Sequence, residues 1–414
     1  MKRVLILTVT AGNGHNACAY GMKAKLEELE DCEVKIIDIL KSYSSKRCVW
    51  TTDNGYCISV SRFLPLYNAF YKKYYKLPAY KRYSTPSQST VLTVTDGLLK
   101  EILDFKPDVV YATHFYGAIA MTDLKLVYNL PCKTVVTCLD YYNSPFWESG
   151  IGVDYFNIPD NCFADEFLRE GFRQEQLITY GIPVDARTLE EIDKKEARKS
   201  LGLDTDLFTV TVIYGGGYWS GGFKIFKGII KALKGRKAQV IMINGKNKKS
   251  FKKIERMKFG DGLKVKNIGF TNDVPLYFSA ADVAVSKSGG LCTTEMVNKS
   301  LPMLITEKLA EQEKHNLDYM KKNGVALSFK NGKTIKEQIL KLMDDENLRN
   351  KMSENCAPLR KPATEALAEF ILKLPSADYS ELAGINCKGT KKAIKAALKA
   401  ADKKERAKAR KNSR

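Results

Sequence analysis

The chain alternates short apolar, β-branched runs with longer stretches in which apolar residues recur every three or four positions. Runs of the first kind lie at residues 4–9, 34–37, 109–113 and 134–139, and helical spacing appears at 14–29, 89–104 and 115–128. A strand covered on both faces reads as a continuous apolar run, and strands separated by helices pair in parallel. A charged linker near 184–199 interrupts the rhythm, which then restarts. Strands are expected at 207–214, 239–243, 265–268, 283–286 and 303–306, and helices at 222–233, 247–258, 291–299, 312–323, 333–343 and 346–355. A last helix is expected at 364–374, ahead of Pro375. The pattern predicts an α/β protein of two doubly wound, Rossmann-like domains facing each other across a cleft. Residues 1–183 form the first expected domain and 184–356 the second. Residues 357–375 are expected as a helix packing back on the first domain, and 376–414 as a basic, flexible tail.

Residues 42–83 depart from this rhythm. They carry Trp50, Tyr56, Phe63, Leu64, Leu66, Tyr67, Phe70, Tyr71, Tyr74 and Tyr75, with Arg62, Lys72, Lys73, Lys76, Lys81 and Arg82 interleaved. Tyrosine and lysine together suit a wet boundary better than a dry core, so the segment is expected at a lipid interface, with Phe63, Tyr67, Phe70, Tyr71 and Tyr74 facing the membrane. The alternative is an aromatic core helix with a solvated basic face.

Composition narrows the setting. At 414 residues and 44% hydrophobic content the chain is long enough for two packed domains. Its ten cysteines form no C-x-x-C pair, which argues against a zinc site and fits a reducing cytoplasm. No run approaches 18 apolar residues, so no membrane-spanning helix is expected. The net charge is +20, and residues 391–414 hold eleven Lys/Arg against Asp402 and Glu405. Such a tail fits an anionic membrane surface; nucleic acid is the weaker partner, since no RNA-binding signature accompanies the charge. A solvated tail without a partner is the plainer alternative.

The chemistry concentrates where strands meet helices. Lys287-Ser288-Gly289-Gly290-Leu291-Cys292-Thr293-Thr294-Glu295 follows the expected strand 283–286 and opens a helix. Glycines there admit a ligand close to the backbone, and the helix start offers unpaired N–H groups to phosphate. Glu295 is placed to accept hydrogen bonds from sugar hydroxyls. Gln312, Glu313 and Asn316 open the next helix, with His315 between them better read as packing. Tyr214-Gly215-Gly216-Gly217 follows the first strand of the second half, where Gly216 and Gly217 fit close approach to a diphosphate or an acceptor. A nucleotide-sugar site accounts for these together. In the first half, Gly12-Asn13-Gly14-His15 follows strand one. His15 is a candidate base, because imidazole titrates near neutrality, with helix packing as its alternative. His114 ends the run 109–113 and is as readily structural. Asp140 is either a cleft carboxylate or a cap.

Taken together these residues resemble the monogalactosyldiacylglycerol synthase and processive diacylglycerol glucosyltransferase family. The resemblance spans about residues 1–373. It rests on Ala11-Gly12-Asn13-Gly14-His15, on the segment Thr137 to Trp147, on Gly181-Ile182-Pro183-Val184, on the glycines from Gly215 to Gly222, on Lys287-Ser288-Gly289-Gly290 and on Gln312-Glu313 with Asn316. Ser288 stands where the family has proline, Cys138-Leu139 separates Thr137 from Asp140 where the family has the two adjacent, Ser144 stands where a histidine is usual, and Ala310-Glu311 replaces Pro-Gly.

The resemblance implies a GT-B fold, with the acceptor in the first domain and the UDP-sugar in the second. It implies that Glu295 holds the ribose, that Gln312 and Glu313 hold the sugar, and that the amides around Gly289–Cys292 meet the diphosphate. Gly12, Asn13, Gly14 and His114 would border the acceptor, with His15, or failing it Asp140, as base. The expected reaction is an inverting transfer of glucose or galactose to diacylglycerol, without cofactor or metal, by a cytoplasmic protein attached to the inner face of the cell membrane. An enzyme of the same fold that uses UDP-N-acetylglucosamine, a 2-epimerase or an N-acetylglucosaminyltransferase, is one rival. A non-catalytic nucleotide- or RNA-binding relative is the other.

Overall fold

The computed structural model describes residues 1–10, 14–75, 86–144, 146–214 and 221–412, with the backbone alone at 74, 75, 86, 148, 402 and 404–412. Gly12, Asn13, Gly216 and Gly217, and the side chain of Tyr74, lie outside what is described.

Each half is a six-stranded parallel sheet flanked by helices. The first contains Lys2–Thr8 (β1), Cys32–Asp38 (β2), Val109–Ala112 (β3), Lys133–Thr137 (β4), Tyr155–Asn157 (β5) and Leu177–Ile178 (β6), in the order β2-β1-β3-β4-β5-β6. The second contains Phe208–Ile213 (β7), Ala238–Ile243 (β8), Leu263–Ile268 (β9), Val283–Ser286 (β10), Met303–Thr306 (β11) and Ala326–Phe329 (β12), in the order β12-β11-β10-β7-β8-β9. In register, Val4 lies opposite Val34 and Val109, and Val283 opposite Val210. Val4, Leu5, Ile6 and Leu7 are all fully buried, which is why β1 shows no alternation of apolar and polar residues.

These orders place the candidate site. Strand order reverses between β1 and β3 in the first sheet and between β7 and β10 in the second. At such a switch point the loops leaving the strands' carboxyl ends diverge and open a crevice. The loops concerned are those leading to His15 and His114 in one domain and to Gly290 in the other.

Packing joins the domains more closely than a bare cleft requires. The first domain's core continues into Met296, Val297, Leu317 and Met320 of the second. A separate core on the far side of the second sheet gathers Val210, Val212, Phe226 and Ile229. The helix Ala363–Lys373 then returns to the first domain, burying Leu367, Ala368 and Ile371 in its core, while Thr364 Oγ1 donates to the Val184 carbonyl at 2.5 Å.

Several sequence expectations need correcting. Strands β5 and β6, of three and two residues, are too short to show a period, and β12 is a further strand that the sequence reading lacks. The helical stretch 89–104 is two helices, Pro86–Val91 and Thr95–Phe105. Residues 376–414, expected as a flexible tail, are folded against the first domain over much of their length. Ala377 N donates to Asp108 Oδ1 at 2.9 Å and Tyr379 OH to the Pro107 carbonyl at 2.8 Å. The helix Thr390–Asn412 follows, with Thr390 and Ile394 fully buried and Lys391 N donating to Asp96 Oδ1 at 3.0 Å. Burying one isoleucine is worth about 1.5–3 kcal/mol, and it acts together with buried Tyr379 and Thr390 and the hydrogen bonds to Pro107, Asp108 and Asp96. Among the described residues no helix is long and apolar enough to cross a membrane.

The aromatic-basic segment is also two-sided. It forms the helices Lys46–Arg62 and Leu64–Tyr75. Phe63, Leu66 and Phe70 are 55%, 71% and 62% exposed, in keeping with an outward role. Tyr67 and Tyr71, expected to face the membrane, point inward instead. Tyr71 is buried with its hydroxyl on that of Tyr142, and Tyr67 reaches the second domain. An aromatic count along the segment does not separate the two faces of the helix Leu64–Tyr75.

Candidate active site

On the first domain's side, β1 delivers His15 to the switch point. Its Nδ1 lies 2.6 Å from the Thr113 carbonyl, an atom that only accepts, so Nδ1 carries the proton and Nε2 keeps its lone pair. Burial lowers the imidazole pKa, against the raising effect of that carbonyl. His15 is therefore held neutral at pH 7, the state a base requires. The approach to it is braced: Asp38 Oδ2 accepts from Thr10 N and Oγ1 at 2.9 and 2.6 Å, and Asn16 Nδ2 donates to Thr10 Oγ1 at 3.1 Å. His114 has a structural part here. Its Nδ1 accepts from Tyr116 N at 3.1 Å, capping the helix Phe115–Tyr128, and its ring lies 4.5 Å from that of His15. Burial, with the neighbouring His15, drives its pKa well below the ordinary value.

The second domain contributes the start of the helix Gly290–Asn298. Ser288, fully buried, donates through Oγ to the Glu313 carbonyl at 2.6 Å, tying the two polar clusters into one unit. Lys287 forms an ion pair with Glu313. Burial opposes the lysine's charge, but Glu313 beside it prevails and holds its pKa above the usual value. Gly289, at the helix cap, sits with its Cβ direction 3.7 Å from Lys287 Nζ and 4.0 Å from Glu313 Oε1. Thr293 Oγ1 bonds the Gly289 and Gly290 carbonyls at 3.0 Å each, and Cys292, its thiol pushed up to about 12 chiefly by burial, lies 3.5 Å from Ser286 Oγ. Glu295 is partly buried on the same helix. Burial, with Asp185 adding its charge, raises its carboxyl to about 8.

The two sides meet. A Cβ on Gly14 would lie 3.6 Å from Leu291 Cδ1. Asn316, fully buried, accepts from Tyr141 N at 2.7 Å and donates to Asp140 Oδ1 at 2.8 Å and to the Ser288 carbonyl at 2.9 Å. Its amide thus ties the domains together across the cleft. Tyr141 adds a 2.7 Å bond to Thr294 Oγ1 and stacks on Tyr319 at 4.9 Å, and Tyr142 stacks on His315 at 4.5 Å. Burial raises Asp140 to about 6, against the lowering by Asn316; nearby Glu313 raises it further and Lys287 lowers it. Tyr141 and Tyr142 enter the sequence reading only within the segment Thr137 to Trp147, and Tyr56, whose hydroxyl accepts from Gln312 Nε2 at 2.9 Å, only within the aromatic-basic segment.

The two-domain fold is shared with solved structures of low sequence identity. The fold resembles Acinetobacter baumannii MurG, with a TM-score of 0.60 at 12% identity over 90% of this chain and 100% of that one. It also resembles Staphylococcus aureus MnaA solved with UDP, with a TM-score of 0.59 at 16% identity over 91% and 100%. The protein is a glycosyltransferase of the GT-B fold. Residues 15–184 match the family described as monogalactosyldiacylglycerol (MGDG) synthase, and residues 212–370 match the glycosyltransferase family 28 C-terminal domain. The chain is 26% identical over 404 residues to the processive diacylglycerol beta-glucosyltransferase of Staphylococcus saprophyticus, covering 92% of this chain and 96% of that one. It is 25% identical over 352 residues to the chloroplastic monogalactosyldiacylglycerol synthase of Spinacia oleracea, covering 82% and 65%. The two domain matches and these relatives together make the chain a glycosyltransferase.

Proposed function

We propose that the protein transfers a hexose, glucose or galactose, from a UDP-sugar to the hydroxyl of diacylglycerol, with inversion at the anomeric carbon. The observation that carries this reading is the pairing across the cleft. A neutral imidazole whose Nε2 keeps its lone pair stands on one side, and a glycine-capped helix start with Lys287 stands on the other, the two approaching each other at Gly14 and Leu291. His15 takes the hydroxyl proton as the oxygen attacks. The negative charge growing on UDP falls to the amides of Gly289–Cys292 and to the Lys287 ammonium, an arrangement in which no metal is needed. Glu295 accepts from the ribose hydroxyls, and Gln312 and Glu313 bind the sugar. The exposed Phe63, Leu66 and Phe70 and the basic C-terminal helix seat the protein on an anionic surface, the inner face of the cell membrane.

The test is transfer from a panel of UDP-sugars, UDP-N-acetylglucosamine included, into vesicles of diacylglycerol with and without anionic phospholipid, read by mass spectrometry. One donor should yield a monohexosyl lipid, faster on the anionic vesicles and at the same rate in EDTA. UDP release without glycolipid would remove diacylglycerol as acceptor, and failure of every donor to bind would remove the donor assignment.

Glu295 offers a separate check. A carboxyl at about 8 is largely protonated at pH 7. Accepting two ribose hydroxyls favours the charged form and lowers that value, so UDP binding should release close to one proton at pH 7. Calorimetry in buffers of different ionisation enthalpy should show this release, and Glu295→Gln should lose it.

A further inference from the structure

Gln312 is held from the other domain. Its Nε2 donates to Tyr56 OH at 2.9 Å, and its Oε1 accepts from Tyr67 OH at 3.2 Å. Tyr56 lies on the helix Lys46–Arg62 and Tyr67 on Leu64–Tyr75, and their rings meet edge to face at 6.0 Å. The attachment is not confined to these two residues. Asn68 Nδ2 donates to the Leu309 carbonyl at 3.1 Å, and Lys72 pairs with Glu311 at 3.4 Å. The first turn of the helix Glu311–Lys322 is therefore gripped along its length by the acceptor domain. Burial raises the pKa of both tyrosines, so both hydroxyls stay neutral and able to donate or accept.

A primary amide has two N–H donors and two acceptor lone pairs. The tyrosines take one of each and define the plane of the amide. One N–H and one lone pair remain, a pair that matches a sugar hydroxyl, itself donor and acceptor. A side chain with several free torsions would otherwise lose the geometry that such recognition needs. We infer that Tyr56 and Tyr67 are positioning residues that set the orientation of Gln312 and, through it, the choice between donors differing in one hydroxyl. This rests on the reading that Gln312 meets the donor sugar.

The experiment compares Tyr56→Phe, Tyr67→Phe, the double variant and Gln312→Ala. Each is assayed for kcat/KM with UDP-glucose and UDP-galactose, for UDP affinity by calorimetry and for Tm. Phenylalanine keeps the ring packing and removes only the hydroxyl. Each single change should lower kcat/KM for the preferred donor about 3- to 10-fold, the range that one neutral hydrogen bond spans. The double variant should also narrow the ratio between donors, and UDP affinity should stay within about twofold. Gln312→Ala should match or exceed the double variant. A double variant with wild-type ratio and rate, or with a raised rate, while Gln312→Ala is impaired, overturns the inference and leaves the sugar assignment standing. A Gln312→Ala protein with wild-type ratio and rate removes the sugar assignment itself, and the positioning role with it.

Discussion

Gly290→Ala is expected to abolish useful transfer. A Cβ on Gly290 would lie 1.7 Å from the Leu139 carbonyl oxygen, 2.8 Å from its carbon and 3.3 Å from Asp140 Cα. These are backbone atoms of the opposite domain, so no rotamer change relieves the clash and the cleft itself must open. Opening it pulls Asp140 and Tyr141 from Asn316 and Tyr141 from Thr294, where the contacts are 2.7–2.8 Å. A displacement near 1 Å between reacting groups costs about 100-fold, and overpacking adds roughly 1–3 kcal/mol of lost stability. The variant should therefore show kcat/KM lowered at least about 100-fold together with a lower Tm. Gly289→Ala is the control for stability. Its nearest neighbours, at 3.7 and 4.0 Å, leave room for a methyl group, so its Tm should hold even if activity falls.

His15→Ala is the second large effect, and it should fall on the rate and not on the fold. A positioned general base contributes about 100- to 10,000-fold, so kcat should drop by that order while UDP affinity changes little. The pH profile sharpens the assignment. Wild-type kcat/KM should rise with pH as Asp140 loses its proton near 6 and as His15, lowered by burial, loses its own below the ordinary imidazole range. Asp140→Asn removes one of these titrations, and a rising limb that survives it belongs to His15. A His15→Ala enzyme that binds UDP and transfers at the wild-type rate would remove the imidazole from the reaction.

How much was readable in advance depended on distance along the chain. The long strands and the junction motifs showed themselves locally, in apolar runs such as 4–9 and in Lys287-Ser288-Gly289-Gly290. Contacts between distant segments did not. Gly290 reads in sequence as room for a ligand, whereas the structure shows that the approaching backbone is Leu139 of the other domain. Tyr67 reads as an interfacial aromatic because composition cannot say which side of a helix faces a neighbour 245 positions away. Strand β6, of two residues, has no period to detect. In the basic tail Ile394 belongs to a thin apolar stripe with Ala397, Leu398 and Ala401, too narrow among so many lysines to predict its burial.

The path of the chain also bears on how the protein is made. The first domain opens at residue 2 and is finished by Leu367, Ala368, Ile371 and Ile394, with the whole second domain synthesised in between. At ~5–20 residues per second, on the order of ten to forty seconds separate the last strand of the first sheet from the residues that seal its core. Throughout that interval the nascent first domain has an apolar seam open to water and to chaperones, and the second domain is free to fold ahead of it.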